Sequence, residues 1–412
     1  MKIIYLHQYF NTPDMNGGTR SYEMARRMVA RGHEVHVITS LRERSDDLKW
    51  VRTNEGGINV HWLPVAYSNS MSYSKRVFAF FKFAFFSAAR AQSIRADLVY
   101  ATSTPLTICI PAIYVSRIKN IPMVFEVRDL WPELPIAMGA LKSPMSRFLA
   151  RGLERLAYKS SAAVVALSPG MRDGVVSAGY PCRRISVIPN ACDIDMFSVS
   201  ESEVALFIAD RPWLGGDPLL VYAGTLGKIN GVEYLVEMAT YLKLTHPEVK
   251  VLVVGDGSER DKITSMAVDN AVLGINFFME PSLPKRYMPA LFGSATFICS
   301  LFVDIPEMRA NSANKFFDGL AAGKPVLLNY GGWQRELVEE YQCGLVTWNM
   351  TLQQSAKKIG DALCAPEFVV NCGRNSLALA EDLFDRDVLA EKLIRVLEVV
   401  VGGDDVDFSV DF

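Results

Sequence analysis

No apolar run in these 412 residues reaches the roughly 20 needed to cross a bilayer as a helix, although half of the chain is hydrophobic. The opening MKIIYLHQYF lacks both the charged leader and the long apolar stretch of a signal peptide, and it reads as a strand. A cytosolic protein is expected. The seven cysteines, at 109, 182, 192, 299, 343, 364 and 372, form no C-x-x-C pair and no metal-binding spacing with the five histidines. An odd, scattered set fits reduced thiols that mostly fill cores, so no metal is expected. No G-x-G-x-x-G follows an apolar run, which weighs against a dinucleotide-dependent oxidoreductase. Repeats at solenoid periods are missing too.

The chain does have a sharp division of charge. Residues 1–200 carry 25 Lys and Arg against 15 Asp and Glu, whereas the remainder carries 18 against 30, so a net charge of −2 hides halves of +10 and −12. A basic first half suits an anionic partner such as phosphate or a lipid surface, and it also fits plain solubility.

Short apolar runs alternate with helical patterns from end to end, as in parallel α/β sheets covered on both faces. Strands are predicted at KIIYLHQ, HEVHVITS, INVHWLP, LVYATS, MVFEVRD, AVVALS and ISVIPN. A second set follows at LLVYAG, VKVLVVG, INFFM, TFICS, PVLLNY and GLVTW. The polar stretch at 198–217, ending in Gly-Gly-Asp, separates them. This gives domains at 1–203 and 204–384, with a closing helix and acidic tail at 385–412.

Four segments carry candidate chemistry. Gly17 and Gly18 stand where the first strand passes into a helix, a place for backbone N–H groups to approach an anion, or simply a turn. In NSANKFFDGLAAGKPV, Asn311, Ser312 and Asn314 are good capping types ahead of a helix. A helix start beside Lys315 suits a diphosphate, and Asp318, on the same helix face as Asn314, could take both hydroxyls of a ribose. A plain capped helix with a solvated Asp fits equally. The loop of YAGTLGKING places Gly224, Thr225, Lys228 and Asn230 at a strand-to-helix mouth. Arg128 and Asp129 end a buried strand, where open α/β sheets bind ligands, and Glu126, Asp129 and Glu133 are candidates to orient a hydroxyl nucleophile or to join structural ion pairs. Apart from these stands SKRVFAFFKFAFFSAARAQSIR, residues 74–95, in which Phe78, Phe80, Phe81, Phe83, Phe85 and Phe86 mix with Lys75, Arg76, Lys82, Arg90 and Arg95. Such a helix can lie in a bilayer interface or pack against its own domain.

Taken in order, these segments resemble the family-4 retaining glycosyltransferases of the GT-B fold over nearly the whole chain. The likeness rests on GGTRSYEMARRMVARGHEV, VIPNACDIDMF (Asn190, Asp193, Phe197), GTLGKINGV, VVGDGSERDKI and FDGLAAGKPV. EVRDLWPE, NKFFDGLAAGKPV and NYGGW give a narrower likeness to bacterial O-antigen and capsule transferases, including L-fucosamine-type enzymes. The resemblance implies two Rossmann-like domains facing across a cleft. It further implies transfer with retention from a nucleotide sugar, UDP-linked and carrying an N-acetylated amino or deoxyamino sugar. The acceptor would be a saccharide on a polyprenyl diphosphate, met on the inner face of the bacterial inner membrane.

By that likeness Lys315, Arg128 and Asp129 are the catalytic candidates. Gly17, Gly18, Asn190, Gly224, Thr225, Lys228, Asn230, Ser312, Asn314 and Asp318 hold the donor. Arg76, Phe80, Phe81, Lys82 and Phe85 meet acceptor or membrane. No cofactor, metal or nucleic acid is expected. The chain departs from the family where Ala310 replaces the first Glu of an E-x7-E pair. Thr225 and Asn230 stand where an Arg and a Lys grip the diphosphate, and Arg128 stands where a catalytic His precedes Asp129. A sugar-nucleotide epimerase or a non-catalytic partner subunit are the alternatives.

Overall fold

The computed structural model describes residues 1–15, 17–41, 49–67, 71–404 and 407–408. The chain forms two compact units, Met1–Pro189 with Asp387–Phe412, and Asn190–Arg386. The polar stretch at 198–217 includes a helix of the second unit, Glu201–Ala209. Ser200 caps it by accepting the Glu203 N–H, while the Glu203 carboxylate reaches back to the Ser200 N–H.

In the first unit the described strands are β1 (Lys2–Leu6), β2 (Glu34–Leu41), β3 (Val51–Glu55), β4 (Ile58–Pro64), β5 (Leu98–Thr102), β6 (Met123–Val127), β7 (Ala163–Ala166) and β8 (Ile185–Val187). They lie in the order β3-β4-β2-β1-β5-β6-β7-β8, all parallel except β3, which pairs antiparallel with β4. β3 went unpredicted because VRTNE is polar and largely open to solvent; it exists because it edges a sheet and turns back onto β4.

The helices of this unit include α1 (Arg20–Ala30), α2 (Tyr73–Gln92), α3 (Cys109–Lys119), α4 (Glu133–Ala137) and α5 (Pro144–Lys159). The connections β4 to β5, β5 to β6 and β6 to β7 step one way across the sheet, whereas β1 to β2 steps back. Right-handed crossovers therefore put α2, α3 and α5 on one face and α1 on the other. Contacts agree, since α3 packs against both α2 and α5. The C-terminal helix, Arg386–Gly402, enters this unit by pairing with α1 and the turn that leads into β2. Arg27 pairs with Asp387, Arg31 with Glu391 at 2.6 Å, and His33 with Glu398 at 3.2 Å. The predicted acidic tail falls partly on 405, 406 and 409–412, outside the described residues.

The second unit holds β9 (Leu219–Ala223), β10 (Lys250–Val254), β11 (Phe277–Glu280), β12 (Phe297–Ser300), β13 (Val326–Leu328) and β14 (Gly344–Val346). Their order is β11-β10-β9-β12-β13-β14, parallel throughout. Buried Leu220, Tyr222, Val251, Val253, Phe297 and Cys299 build its core with Leu235, Val236 and Ala239 of the covering helix Glu233–Thr245. Both sheets reverse their winding beside the first strand of the unit, between β1 and β5 and between β9 and β12. At such a switch the loops leaving the two strands diverge, which makes the strand ends beside β1 and β9 the places where a parallel sheet of this kind takes a ligand.

Candidate functional site

In the second unit the loop after β9 and the helix after β12 meet at the switch. Gly224 has φ +155, and a Cβ there would stand 3.3 Å from the Lys315 Cε. A Cβ on Gly255, in the Gly-Asp-Gly turn, would lie 1.9 Å from the Gly224 carbonyl oxygen, so this glycine lets the two loops stack. The Leu226 N–H completes the junction by donating to the Asp256 carbonyl at 2.9 Å.

Lys315, in the first turn of helix Asn314–Ala321, enters an aromatic box. Its Nζ donates to the Tyr222 hydroxyl at 3.0 Å and lies 4.4 Å from the Tyr222 ring centroid and 5.3 Å from that of Phe302. The Tyr222 hydroxyl in turn donates to the Thr225 carbonyl at 2.8 Å, fixing the glycine loop. Among the described residues no carboxylate pairs with Lys315, and burial pushes its ammonium pKa down to about 7. The result is a cation site without an anion.

The capping expectation fails here. Ala313 occupies the N-cap and offers no side-chain bond, because its neighbours are engaged elsewhere. The Ser312 hydroxyl accepts the Asn190 N–H at 3.2 Å, and Asn311 bonds the Met308 carbonyl. Asn314 is exposed as the first helical residue. The first-turn amides of this helix are thus left without a side-chain acceptor, as an anion site requires.

One turn on, the carboxylate of the half-buried Asp318 accepts no hydrogen bond among the described residues. Burial raises its pKa to about 6; Lys285 and Arg386 oppose the rise and Asp193 adds to it. Asp193 is itself committed to Arg386, with Lys285 at 3.6 Å. Asn190 is buried, and its Oδ1 accepts nothing among the described residues. Thr225 and Lys228 are exposed on the loop, whereas Asn230 turns inward and is buried.

The first unit has its own polar mouth, at the ends of β1, β5 and β6. Gly17 has φ +129, and a Cβ there would come within 2.6 Å of Asn11 Nδ2, which donates to the Gly18 carbonyl at 3.2 Å. After β6 the Arg128 N–H donates to the Ser103 hydroxyl at 2.9 Å, and its guanidinium stands 3.4 Å from His7 Nε2. The Asp129 carboxylate accepts from the Thr104 hydroxyl at 2.9 Å. Burial raises the Asp129 pKa against that hydrogen bond and the Arg128 charge. Thr104 is held at φ +91, which a β-branched residue rarely adopts. His7 and Thr104 belong to no motif, and the sequence reading missed both. Each stands just past the end of its strand, β1 or β5, the same position that singled out Arg128 and Asp129 after β6. That position is the signal that could have found them.

Glu126 does not orient a nucleophile. It is fully buried and accepts hydrogen bonds from Tyr100 at 2.6 Å, Thr102 at 2.7 Å and Arg20 at 2.9 Å. Arg20, also buried, donates in addition to the Ile188 and Pro189 carbonyls. Burial pulls Glu126 upward, yet Arg20, Arg128 and Tyr100 hold it below the usual carboxylate range. This is a structural ion pair joining α1, the strands β5 and β6 and the end of β8. Glu133 is likewise occupied, by Arg151 at 3.0 Å on the surface.

Along α2 the aromatic residues divide by face. Phe83 is buried and Phe80 stacks on Tyr67 with centroids 5.8 Å apart, while Phe81 and Phe85 face solvent with Phe78. Arg76 and Lys82 are half-buried at the margin. No helix among the described residues is long and apolar enough to cross a membrane, and no cluster of three or more His, Cys, Asp or Glu that could hold a metal is found among them.

Two family patterns cover most of the chain. Residues 17–191 match the glycosyl transferase 4-like domain, and residues 206–378 match glycosyl transferases group 1. The chain is 23% identical to the colanic acid biosynthesis glycosyl transferase WcaI of Escherichia coli over 297 residues, 68% of this chain and 72% of that one. Among solved structures, Anabaena HepE in complex with UDP and glucose superposes with a TM-score of 0.70 at 18% identity, covering 97% of this chain and 99% of HepE. WaaG, a glycosyltransferase involved in lipopolysaccharide biosynthesis, superposes at 0.69 and 17% identity, covering 96% and 99%.

Proposed function

We propose that this chain, which belongs to the nucleotide-sugar glycosyltransferases of the GT-B fold, moves a sugar with retention from a UDP-linked donor to a saccharide on a polyprenyl diphosphate. The observation that carries this reading is Lys315, held without a carboxylate in its aromatic box beside Gly224, at the switch point of the second sheet. A half-buried ammonium with no carboxylate is costly unless an anion completes it, and the diphosphate of the donor supplies that anion. The uncapped helix start, the Thr225 amide and Lys228 add donors around the same group, while the Gly224 N–H is held by the Val254 carbonyl. The Asp318 carboxylate, which accepts no hydrogen bond among the described residues, takes the ribose hydroxyls, and Asn190 and Ser312 support the segment beside it. Asn230, buried behind the loop, and Gly17 and Gly18 shape the backbone at the two mouths.

In the transfer the bond from the sugar C1 to the diphosphate oxygen breaks as the acceptor oxygen bonds C1 from the same face, and the acceptor proton leaves toward the departing diphosphate. The protein then needs no nucleophile. Its work is to stabilise charge growing on the leaving group, by Lys315 and the helix amides, and to align the acceptor. Arg128 and Asp129, oriented by Ser103 and Thr104, take the alignment role. The donor sugar is an N-acetylated amino or deoxyamino sugar of the L-fucosamine type, and the pathway is O-antigen or capsule assembly. The narrower sequence likeness supports both, and the likeness to proteins named for colanic acid and lipopolysaccharide synthesis supports the second. The exposed phenylalanines and cations of α2 support contact with the inner face of the inner membrane.

Turnover of a labelled UDP-sugar with and without membrane lipid extract tests the reading. UDP release and incorporation of label should both depend on the extract. Isomerisation of the donor without any acceptor would identify an epimerase instead. Asp318→Ala should weaken donor binding about tenfold or more, with little loss of thermal stability, since the carboxylate has no internal hydrogen bond to lose. Unchanged donor affinity would remove Asp318 from the ribose site.

A further inference from the structure

We propose that α5, alongside α2, seats the first unit on an anionic bilayer surface, with Met145, Phe148 and Leu149 entering the interface. This extends the lipid-acceptor reading from one helix to two and rests on it. The first ground is exposure. Every exposed phenylalanine among the described residues lies on these two helices: Phe78, Phe81 and Phe85 on α2 and Phe148 on α5, at 70%, 54%, 73% and 74% exposed. On α5 the exposed apolar positions Met145, Phe148, Leu149 and Leu156 recur at helical spacing, and Glu154, Ala157 and Tyr158 form the buried face. A contiguous apolar stripe on an outer helix face marks an interaction surface.

Charge selects the occupant. The sequence of α2 contains Lys75, Arg76, Lys82 and Arg90 and no acidic residue. That of α5 contains Arg147, Arg151, Arg155 and Lys159, and its single acid, Glu154, is buried and accepts from the Tyr158 hydroxyl at 3.2 Å. Glu133 of α4 offsets one cation by pairing with Arg151, and Arg90 turns inward to His61, so Lys75 and Lys82 of α2 with Arg155 and Lys159 of α5 carry the excess positive charge. Apolar rings flanked by an excess of Lys and Arg match an interface of acyl chains and anionic headgroups. A second copy of the chain fits poorly, because a twofold contact through this surface would set cations against cations.

Position ties the surface to the reaction. α2, α3 and α5 share one face of the sheet, and α3 contributes exposed Tyr114 and Ile118 between its neighbours. A helix following a parallel strand begins at that strand's C-terminal edge. Phe78 and Phe81 near the start of α2, and Met145, Phe148 and Leu149 near the start of α5, therefore lie toward the edge that also carries Gly17, Arg128 and Asp129. A bilayer held there would present a lipid-linked acceptor beside the mouth of the first unit.

Co-sedimentation of the full chain with vesicles of phosphatidylcholine alone or mixed with phosphatidylglycerol tests this. The protein should pellet with the anionic vesicles, less so as salt rises, and Phe148→Ser with Leu149→Ser should lower partitioning about tenfold or more. Arg151→Gln with Arg155→Gln, which leaves the apolar stripe intact, should weaken binding to the anionic vesicles only. UDP-induced thermal shifts of both α5 variants should match those of the unaltered protein, which separates loss of docking from loss of fold. If Phe78→Ser, Phe81→Ser and Phe85→Ser release the protein while the α5 pair does not, the role of α5 is refuted and the lipid-acceptor reading stands. Failure of the unaltered protein to bind either vesicle, or loss of a dimer in the α5 variant, would also overturn the proposal.

Discussion

Lys315→Met lowers kcat/KM for sugar transfer by about 10²–10³ and leaves the fold at least as stable as before. The kinetic loss follows from the site. Lys315 is the cation inside the box of Tyr222 and Phe302, and the Arg and Lys expected on the neighbouring loop are Thr225 and Asn230 here. With those charges missing, the proposed transfer leaves the developing charge on the diphosphate to Lys315, with the exposed Lys228 and backbone dipoles beside it. The stability result follows from the pKa. A half-buried lysine without a carboxylate, with its pKa lowered to about 7 from 10.5, opposes folding in full below about pH 7, and the cost fades as pH rises toward 10.5. Methionine fills the same space without that cost, so the melting temperature at pH 6 should hold or rise.

The same residue sets a pH signature. Below about pH 7 the free enzyme already holds the ammonium. Above it the amine is neutral, and a bound diphosphate draws a proton onto it. Nucleotide-sugar affinity should therefore fall as pH climbs past 7, with proton uptake on binding, and both effects should vanish in Lys315→Met. Calorimetry in buffers of different ionisation enthalpy measures the uptake. A pH-independent affinity, with no proton taken up, would show that Lys315 does not face the donor phosphates.

Glu126→Ala destabilises the first unit by about 3–5 kcal/mol, since it strands the buried Arg20 guanidinium and leaves the Tyr100 and Thr102 hydroxyls without their acceptor. For a unit of this size that is a fall of roughly 10 °C in the melting transition. Replacing both partners together, Arg20→Met with Glu126→Leu, should recover most of the loss, because the penalty lies in the unpaired charge rather than in the missing attraction. A large fall confined to the single variant marks the pair as structural. If Glu126→Ala kept full stability and lost activity alone, Glu126 would return to the catalytic candidates.

How far the sequence disclosed this arrangement depended on the kind of signal. Apolar runs such as KVLVV and LVYAT are buried on both faces of a parallel sheet, so they could be read directly, whereas the polar edge strand VRTNE carries no such pattern. The glycine loops and the NKFFDGLAAG helix were visible as motifs, and the switch-point geometry agrees with them. The task of each side chain there was not visible. Asn311 and Ser312 looked like caps, but the backbone ahead of the helix turns them toward Met308 and Asn190. Glu126 looked catalytic because it stands near the end of β6, and only the fold shows that Arg20, 106 residues earlier, occupies it. The exposed stripe of α5 was hidden for a related reason. PMSRFLARGLERLAYK reads as an ordinary amphipathic helix until its neighbours reveal which face is covered.

Whether the Lys315 box and the Gly224 loop hold the diphosphate of the donor is decided by titrating UDP and uridine separately into the unaltered protein and into Lys315→Met. UDP should bind the unaltered protein far more tightly than uridine does. In the variant that advantage should shrink by about tenfold or more while uridine affinity stays the same. An equal UDP-to-uridine ratio in both proteins would place the diphosphate elsewhere and remove Lys315 from the donor site.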